Sequence, residues 1–259
     1  MILKDFHVHT CYCDGKDTPE DIVLEAISRG MEKLGFSGHS YTPFDEEPCM
    51  SLNGTREYKR EIKRLKRKYE SQIKILLGTE QDYYSEMKTS DYDYVIGSVH
   101  YVKCGDEFGH IDHSPEMLAD MIRKYFNSDP YAFAERYFFL VADVINRTHA
   151  DIIGHFDLLT KFNEDGKFFD ENNKRYISAA NSALDTLLKT GKPFEINTGA
   201  ISRGYRTFPY PGRSILEYIA EHNGSVILSS DSHQKETLMY KFDECEKLVN
   251  ELGLKLITL

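Results

Sequence analysis

The chain has 259 residues, 41% hydrophobic and 12% aromatic, with a formal net charge of -10. That is enough apolar material for one large α/β domain, and a single domain over residues 1–259 is expected. The acidic balance argues against a sequence-independent nucleic-acid binder, which needs a basic field, but it leaves an anionic substrate open because bound cations reverse the local sign.

Residues 3–9, Leu3-Lys4-Asp5-Phe6-His7-Val8-His9, read as a strand. Alternate side chains on a strand share a face, so His7 and His9 point the same way and can hold one metal ion. Thr18-Pro19-Glu20-Asp21 starts a helix with a cap, a proline at the first helical position and acids in the first turn. Ile22, Ala26 and Ile27 form its inward stripe, and Gly30 stops it. A second strand, residues 33–38, closes on His39. A helix over residues 56–69 puts Tyr58, Ile62, Leu65 and Tyr69 on one face. Its opposite, basic face is diluted by Glu57, Glu61 and Glu70 and reads as solvated surface.

The third strand, residues 74–79, delivers Glu80, and the fourth, residues 92–99, delivers His100. A histidine-containing loop follows, then two helices opened by Ser114-Pro115 and Asp129-Pro130. The fifth strand, residues 151–154, delivers His155 and, two positions on, Asp157. A helix over residues 173–189 turns Ile177, Ala180, Leu184, Leu187 and Leu188 inward. The sixth strand, residues 193–196, delivers Asn197. After a helix over residues 214–222, the seventh strand, residues 225–230, delivers Asp231 and His233. A last helix, residues 240–252, ends at Gly253 before a short apolar tail, residues 254–259.

Short apolar strands alternating with helices call for a parallel sheet with the helices outside. Seven such units predict one closed or nearly closed barrel. An open doubly wound sheet would gather its polar groups at one switch point, not at nearly every strand end. In a barrel all the carboxyl ends meet at one mouth, where chemistry sits.

The convergent set is His7, His9, Asp14, His39, Glu80, His100, His155, Asp231 and His233. Six of the ten histidines belong to it. His110, His113, His149 and His222 fall in loops or on helices, where solvent-exposed histidines are expected; an overhang of the mouth by His110 and His113 is the alternative. Nitrogen and oxygen donors without thiolate suit Zn, Mn or Fe. Nine ligands exceed what one ion takes, so two to three divalent ions are expected, with Glu80 as the bridging carboxylate. Three divalent cations against Asp14, Glu80 and Asp231 leave a charge of about plus three, which a phosphate dianion and a hydroxide would balance. Such a site fits hydrolysis of a phosphate monoester by a metal-bridging hydroxide.

Five cysteines, Cys11, Cys13, Cys49, Cys104 and Cys245, follow no disulfide or zinc-pair spacing. The first residues read as a strand and not as a basic and apolar leader. The most apolar helical run, residues 137–145, is far below the roughly 18 residues of a membrane span. A reducing cytoplasm and no membrane partner are therefore expected. The oligomeric state stays open, a homodimer included.

With these residues placed, the chain resembles the polymerase-and-histidinol-phosphatase (PHP) family of metal-dependent phosphoesterases. The matching pieces are Phe6-His7-Val8-His9-Thr10 with Asp14, Gly38-His39-Ser40, Gly78-Thr79-Glu80, Gly97-Ser98-Val99-His100, Gly154-His155-Phe156-Asp157 and Ser230-Asp231-Ser232-His233. The resemblance implies a distorted seven-stranded (β/α)7 barrel, TIM-barrel-like, with a trinuclear site at the carboxyl ends of the strands. His7, His9, Glu80 and Asp231 would serve one ion, Glu80, His100 and His155 a second, and Asp14, His39 and His233 a third. Two further stretches are similar to the stand-alone histidinol-phosphatase branch. One is His155-Phe156-Asp157-Leu158-Leu159-Thr160-Lys161-Phe162. The other is Glu195-Ile196-Asn197-Thr198-Gly199 followed by Arg203, Tyr210 and Pro211. That branch implies hydrolysis of L-histidinol phosphate to L-histidinol and phosphate.

Arg203 lies in the loop after the sixth strand, where a guanidinium can grip two phosphate oxygens; an exposed loop arginine is the plainer alternative. Arg206 is a second candidate. Asn197 either orients substrate or caps a turn. Asp231, His233 and Arg203 are the candidate catalytic residues, since the leaving alkoxide must be protonated or held by metal. Competing readings are a family member acting on nucleotides or phosphotyrosine, an amidohydrolase-type hydrolase, and a metal-binding module without activity. The amidohydrolase type would more often carry its bridging group on the fourth strand.

Overall fold

The computed structural model describes residues 3–259. Its centre is an eight-stranded sheet of β1 (Lys4–Asp5), β2 (Lys33–Phe36), β3 (Lys74–Asp82), β4 (Tyr94–Ser98), β7 (Ile152–Ile153), β8 (Phe194–Asn197), β9 (Ser225–Ser229) and β10 (Lys255–Leu256), hydrogen-bonded in that order. Every pairing in it is parallel. The sheet curls until the continuations of β1 and β9 touch. Val8 and Ser232 form a parallel bridge, with His9 N–H donating to the Ser232 carbonyl (2.8 Å) and Ser232 N–H to that of His7 (3.1 Å). Below that bridge the buried Asp5 ties the seam, accepting N–H groups of Ser230 (3.1 Å) and Met239 (3.0 Å).

The strand count corrects the expected seven. The tail contributes β10, pairing Lys255 with Ser225 and Leu256 with Val226. Two residues are too few to display the alternation by which a strand is recognised in sequence. A second correction concerns the histidine-containing loop, which is an antiparallel hairpin of β5 (Tyr101–Cys104) and β6 (Glu107–His110).

The helices are α1 (Pro19–Ser28), α2 (Leu52–Lys68), α3 (Pro115–Tyr125), α4 (Pro130–Thr148), α5 (Lys174–Leu188), the short α6 (Gly199–Ser202), α7 (Arg213–Glu221) and α8 (Phe242–Leu252). Thr18, Ser51, Ser114 and Asp129 cap α1 to α4 by accepting first-turn N–H groups, which those residue types do well. The Ser51 cap starts α2 four residues before residue 56. In α5 the buried stripe is Tyr176, Ala180, Ala183, Leu184 and Leu187. Ile177 is 42% exposed, contrary to expectation, because the larger Tyr176 takes the inward position beside it.

Inside the curl, Phe6, Tyr94, Ile96, Ile152 and Ile227 pack as one apolar cluster. Tyr94 fits only because its neighbours are glycines: a Cβ on Gly78 would sit 2.3 Å from its ring, and one on Gly35 2.4 Å from its hydroxyl. The same faces continue upward as polar residues. Tyr94 and Ile96 are followed at period two by Ser98 and His100, and Leu76 and Gly78 by Glu80 and Asp82. The lower interior is thus an oily plug that leaves the upper strand ends to hold polar side chains.

Candidate active site

The structure brings all nine residues of the convergent set to the carboxyl ends of the sheet, around the buried Glu80. Its Oε1 lies 2.9 Å from His155 Nε2 and 3.3 Å from His100 Nε2. Its Oε2 lies 2.9 Å from His39 Nδ1, 3.3 Å from His7 Nε2 and 3.6 Å from His9 Nε2. Asp231 approaches from β9, its Oδ1 3.2 Å from His9 Nε2 and 3.7 Å from His7 Nε2. Asp14 closes the other side, 3.1 Å from His233 Nε2, 3.4 Å from His9 Nδ1 and 3.6 Å from His39 Nε2.

A second layer aims these rings. Glu195, buried on β8, accepts from His7 Nδ1 (2.7 Å) and so turns Nε2 toward Glu80; it also accepts the His155 N–H (3.1 Å). Asp82 lies 3.3 Å from His100 Nδ1 and accepts the His100 N–H (3.0 Å). Such partners fix ring orientation and raise ligand basicity. Sequence reading had not given Glu195 or Asp82 this part. The available signal was spacing: Asp82 follows Glu80 by two on one strand, and Glu195 is a lone acid in an apolar strand.

Asp231 is held in a left-handed conformation, φ +50°, uncommon for a residue with a side chain. Gly199 packs against it so closely that a Cβ there would meet the carboxylate at 2.6 Å. Arg203 Nη2 donates to Asp231 Oδ2 (3.1 Å), and its Nη1 lies 2.8 Å from His233 Nδ1. The guanidinium therefore stands at the cluster.

Arg206 turns elsewhere. It donates to the Thr160 hydroxyl and lies over the Tyr210 ring, 5.0 Å from its centroid. Asn197 is fully buried; it accepts the Gly199 N–H (2.9 Å) and donates to Glu195 (3.3 Å), which makes it a cap and a brace. His110 and His113 do overhang the mouth and line a cavity with Asp45, Tyr101, Asp112 and Lys161. Lys161 Nζ, 3.1 Å from Asp112, also lines a second cavity with Arg203, Tyr205 and the cluster, a place that its sequence neighbourhood alone did not reveal.

The electrostatics follow from packing so many charges in one dry place. Burial pushes the Glu80 carboxyl up, but His39, His7 and His100 outweigh it and hold the group well below the usual carboxylate range. Burial likewise opposes ionisation of Asp231, and Arg203 and His7 win. Burial, His9 and Arg203 press His233 down to about 4.

Several buried polar atoms in the cluster, His7 Nε2, His9 Nε2 and Glu80 Oε2, lie close to one another or to further ring and carboxylate atoms but make no well-aligned hydrogen bond among the described residues. Leaving such atoms unpaired is costly, so their convergence fits a cation that all of them could coordinate. Among the described residues three groups have ligand atoms within 4.8 Å of one another: His9, Asp14, His39 and His233; His7, His9 and Glu80; and His39, Glu80 and His100. His9 and His39 each belong to two groups, so these sets overlap more than the division the resemblance implies.

The PHP domain family model matches residues 5–199, most of the chain. The chain belongs to the PHP domain family. Curated relatives to which it is similar include histidinol-phosphatases. It is 30% identical over 256 residues to the Schizosaccharomyces pombe protein named "Probable histidinol-phosphatase", covering 91% of this chain and 81% of that one. It is 24% identical to the Bacillus subtilis histidinol-phosphatase, covering 94% of this chain and 98% of that one. The histidinol phosphate phosphatase of Lactococcus lactis, solved with zinc, L-histidinol and phosphate, shares the fold with a TM-score of 0.73 at 23% identity, over 98% of this chain and 95% of that one. A Listeria monocytogenes structure gives a TM-score of 0.80 at 20% identity, over 93% and 99%. Residues 200–259 lie beyond the family match yet supply Arg203, Asp231 and His233.

Proposed function

We propose that this chain is a metal-dependent phosphomonoesterase that hydrolyses L-histidinol phosphate to L-histidinol and phosphate, as one domain over residues 1–259. The observation that carries the reading is the knot of buried atoms without well-aligned hydrogen bonds around Glu80, in a chain similar over nearly its whole length to histidinol-phosphatases. Nitrogen and oxygen donors suit two to three ions of zinc, manganese or iron. The proposed holders are His7, His9, Glu80 and Asp231 for one, Glu80, His100 and His155 for a second, and Asp14, His39 and His233 for a third. Ions there supply acidified water at neutral pH and charge compensation at phosphorus.

The chain's own residues do the rest. Glu195 and Asp82 hold His7 and His100 in register. Arg203 and Lys161 line one cavity and would take the phosphate oxygens, Arg203 by a two-point contact. Asp231 and His233, which line the same cavity, would serve the leaving alkoxide through the cations they would hold. A small-molecule ester as partner and a cytoplasmic setting complete the reading. Among the described residues no helix is long and apolar enough to cross a membrane.

Phosphate release from L-histidinol phosphate, compared with nucleotide, sugar and phosphotyrosine esters under zinc, manganese and iron, tests this. The expected result is a kcat/KM for L-histidinol phosphate about tenfold or more above the others. Faster turnover of a nucleotide or of phosphotyrosine would overturn the substrate assignment.

A further inference from the structure

We infer that Asp45 selects the cationic organic half of the substrate; the inference rests on the phosphomonoesterase reading and extends it to specificity. Beside the cluster lies a cavity of about 190 Å³ that shares Asp14, His39, Glu80, His100 and the Asp112–Lys161 pair with the Arg203 cavity but not Arg203 itself. An ester with its phosphate at Arg203 and the cluster would project its organic part into this outer space.

The other carboxylates along its wall are spoken for. Asp14 faces His39 and His233, and Glu80 sits among five imidazoles. Asp82 accepts the N–H groups of His100 (3.0 Å) and Tyr84 (2.7 Å). Asp112 is paired with Lys161 Nζ at 3.1 Å. Asp45 is different. Its Oδ2 accepts the Tyr101 O–H at 2.7 Å and lies 3.5 Å from His110 Nδ1, and it meets no lysine or arginine among the described residues. Its side chain is 12% exposed. A carboxylate this far out of water without a fixed cation favours a mobile one.

Asp45 is also held in place before any ligand arrives. The Phe44 ring stacks on Phe108 with centroids 3.7 Å apart, clamping the loop that carries Asp45 to the hairpin β5–β6 that carries Tyr101 and His110. Tyr101, His110 and His113 meet edge to face at 5.2 and 5.5 Å. They offer ring surface beside the carboxylate, suited to a flat heterocycle next to an ammonium. Preset groups lose little freedom on binding. An ester with a second anionic group would meet Asp45 as a like charge and be rejected.

The test uses the metal-loaded protein and reads the two halves of the product separately. In Asp45→Asn, the Kd for L-histidinol and the KM for L-histidinol phosphate rise about tenfold or more, while the Kd for inorganic phosphate moves less than about twofold. Tyr101→Phe, which removes the fixed donor to Asp45, weakens L-histidinol several-fold and leaves phosphate in place, and Asp45→Glu restores part of the loss. Unchanged L-histidinol binding in Asp45→Asn, or equal loss of L-histidinol and phosphate, overturns the inference. A wild-type protein idle on L-histidinol phosphate would instead sink the substrate reading. Asp45 is then judged by the turnover ratio of ethanolamine phosphate to glycol phosphate. A ratio of about ten or more that falls to about one in Asp45→Asn supports charge selection, and equal ratios in the two proteins overturn it.

Discussion

Glu80 shows how one side chain organises a site. It enters from β3 with five imidazoles within 3.6 Å, and those rings come from four other places in the chain. Its neighbours matter through what they hold. Glu195 fixes His7 at 2.7 Å, so Glu195→Gln weakens a charge-assisted contact and lets the ring turn. The expected result is a loss of about ten- to a hundred-fold in metal affinity, read by chelator competition, with the fold kept. Unchanged affinity would assign Glu195 to packing alone. Arg203→Ala removes the guanidinium beside Asp231. A rise in KM for a phosphomonoester of about tenfold is expected, and an unchanged KM would take Arg203 out of the site. The nine residues of the cluster were legible because each follows an apolar strand or its loop. The holders Glu195 and Asp82 were less so, because an acid inside a strand has no role until its partner, 188 and 18 residues away in sequence, is placed beside it.

The elements read well where local chemistry sets their ends. Thr18-Pro19, Ser114-Pro115 and Asp129-Pro130 begin helices as expected, since cap and proline act within one turn. Turn-level signals did not disclose the hairpin β5–β6, whose ladder depends on pairing across Gly105. Ile177 failed for a related reason: two apolar neighbours competed for one inward slot, and the shape of the α4–α5 contact decided between them.

The helices also hold one another by charge. Glu20 of α1 takes Lys68 and Arg64 of α2 and the Tyr69 hydroxyl (2.7 Å). Lys68, Tyr69 and Arg64, in that order of effect, pull its carboxyl from 4.5 down to about 2. A depressed pKa adds stability above the ordinary value that is lost as pH falls through the lowered one. Glu20→Gln should therefore cost no more than ~1 kcal/mol at neutral pH, because the pairs are solvent-screened. The gap from wild type should narrow as pH drops from about 4.5 toward 2, read from denaturant midpoints. A gap that widens on acidification would contradict this.

At the scale of the molecule, the apolar plug of Phe6, Tyr94, Ile96, Ile152 and Ile227 supports the polar mouth from below. The cluster should therefore lose its ions without losing the fold. Chelation is expected to abolish activity, lower the thermal midpoint and preserve the far-ultraviolet circular dichroism, with activity regained on adding zinc or manganese. Elemental analysis of active protein should find about two to three ions per chain. One ion or none in active protein would contradict the three-ion assignment.

The sequence by itself determined the alternation of strands and helices, most helix starts, and the placing of imidazoles and carboxylates at strand ends, because these depend on periods of two and 3.6 and on contacts within a turn. Tertiary structure alone decided the eighth strand, the hairpin, the inward turn of His110 and His113, and the groups that grip His7 and His100. Each of these depends on which distant segment arrives next to it, and only closing the curled sheet sets that.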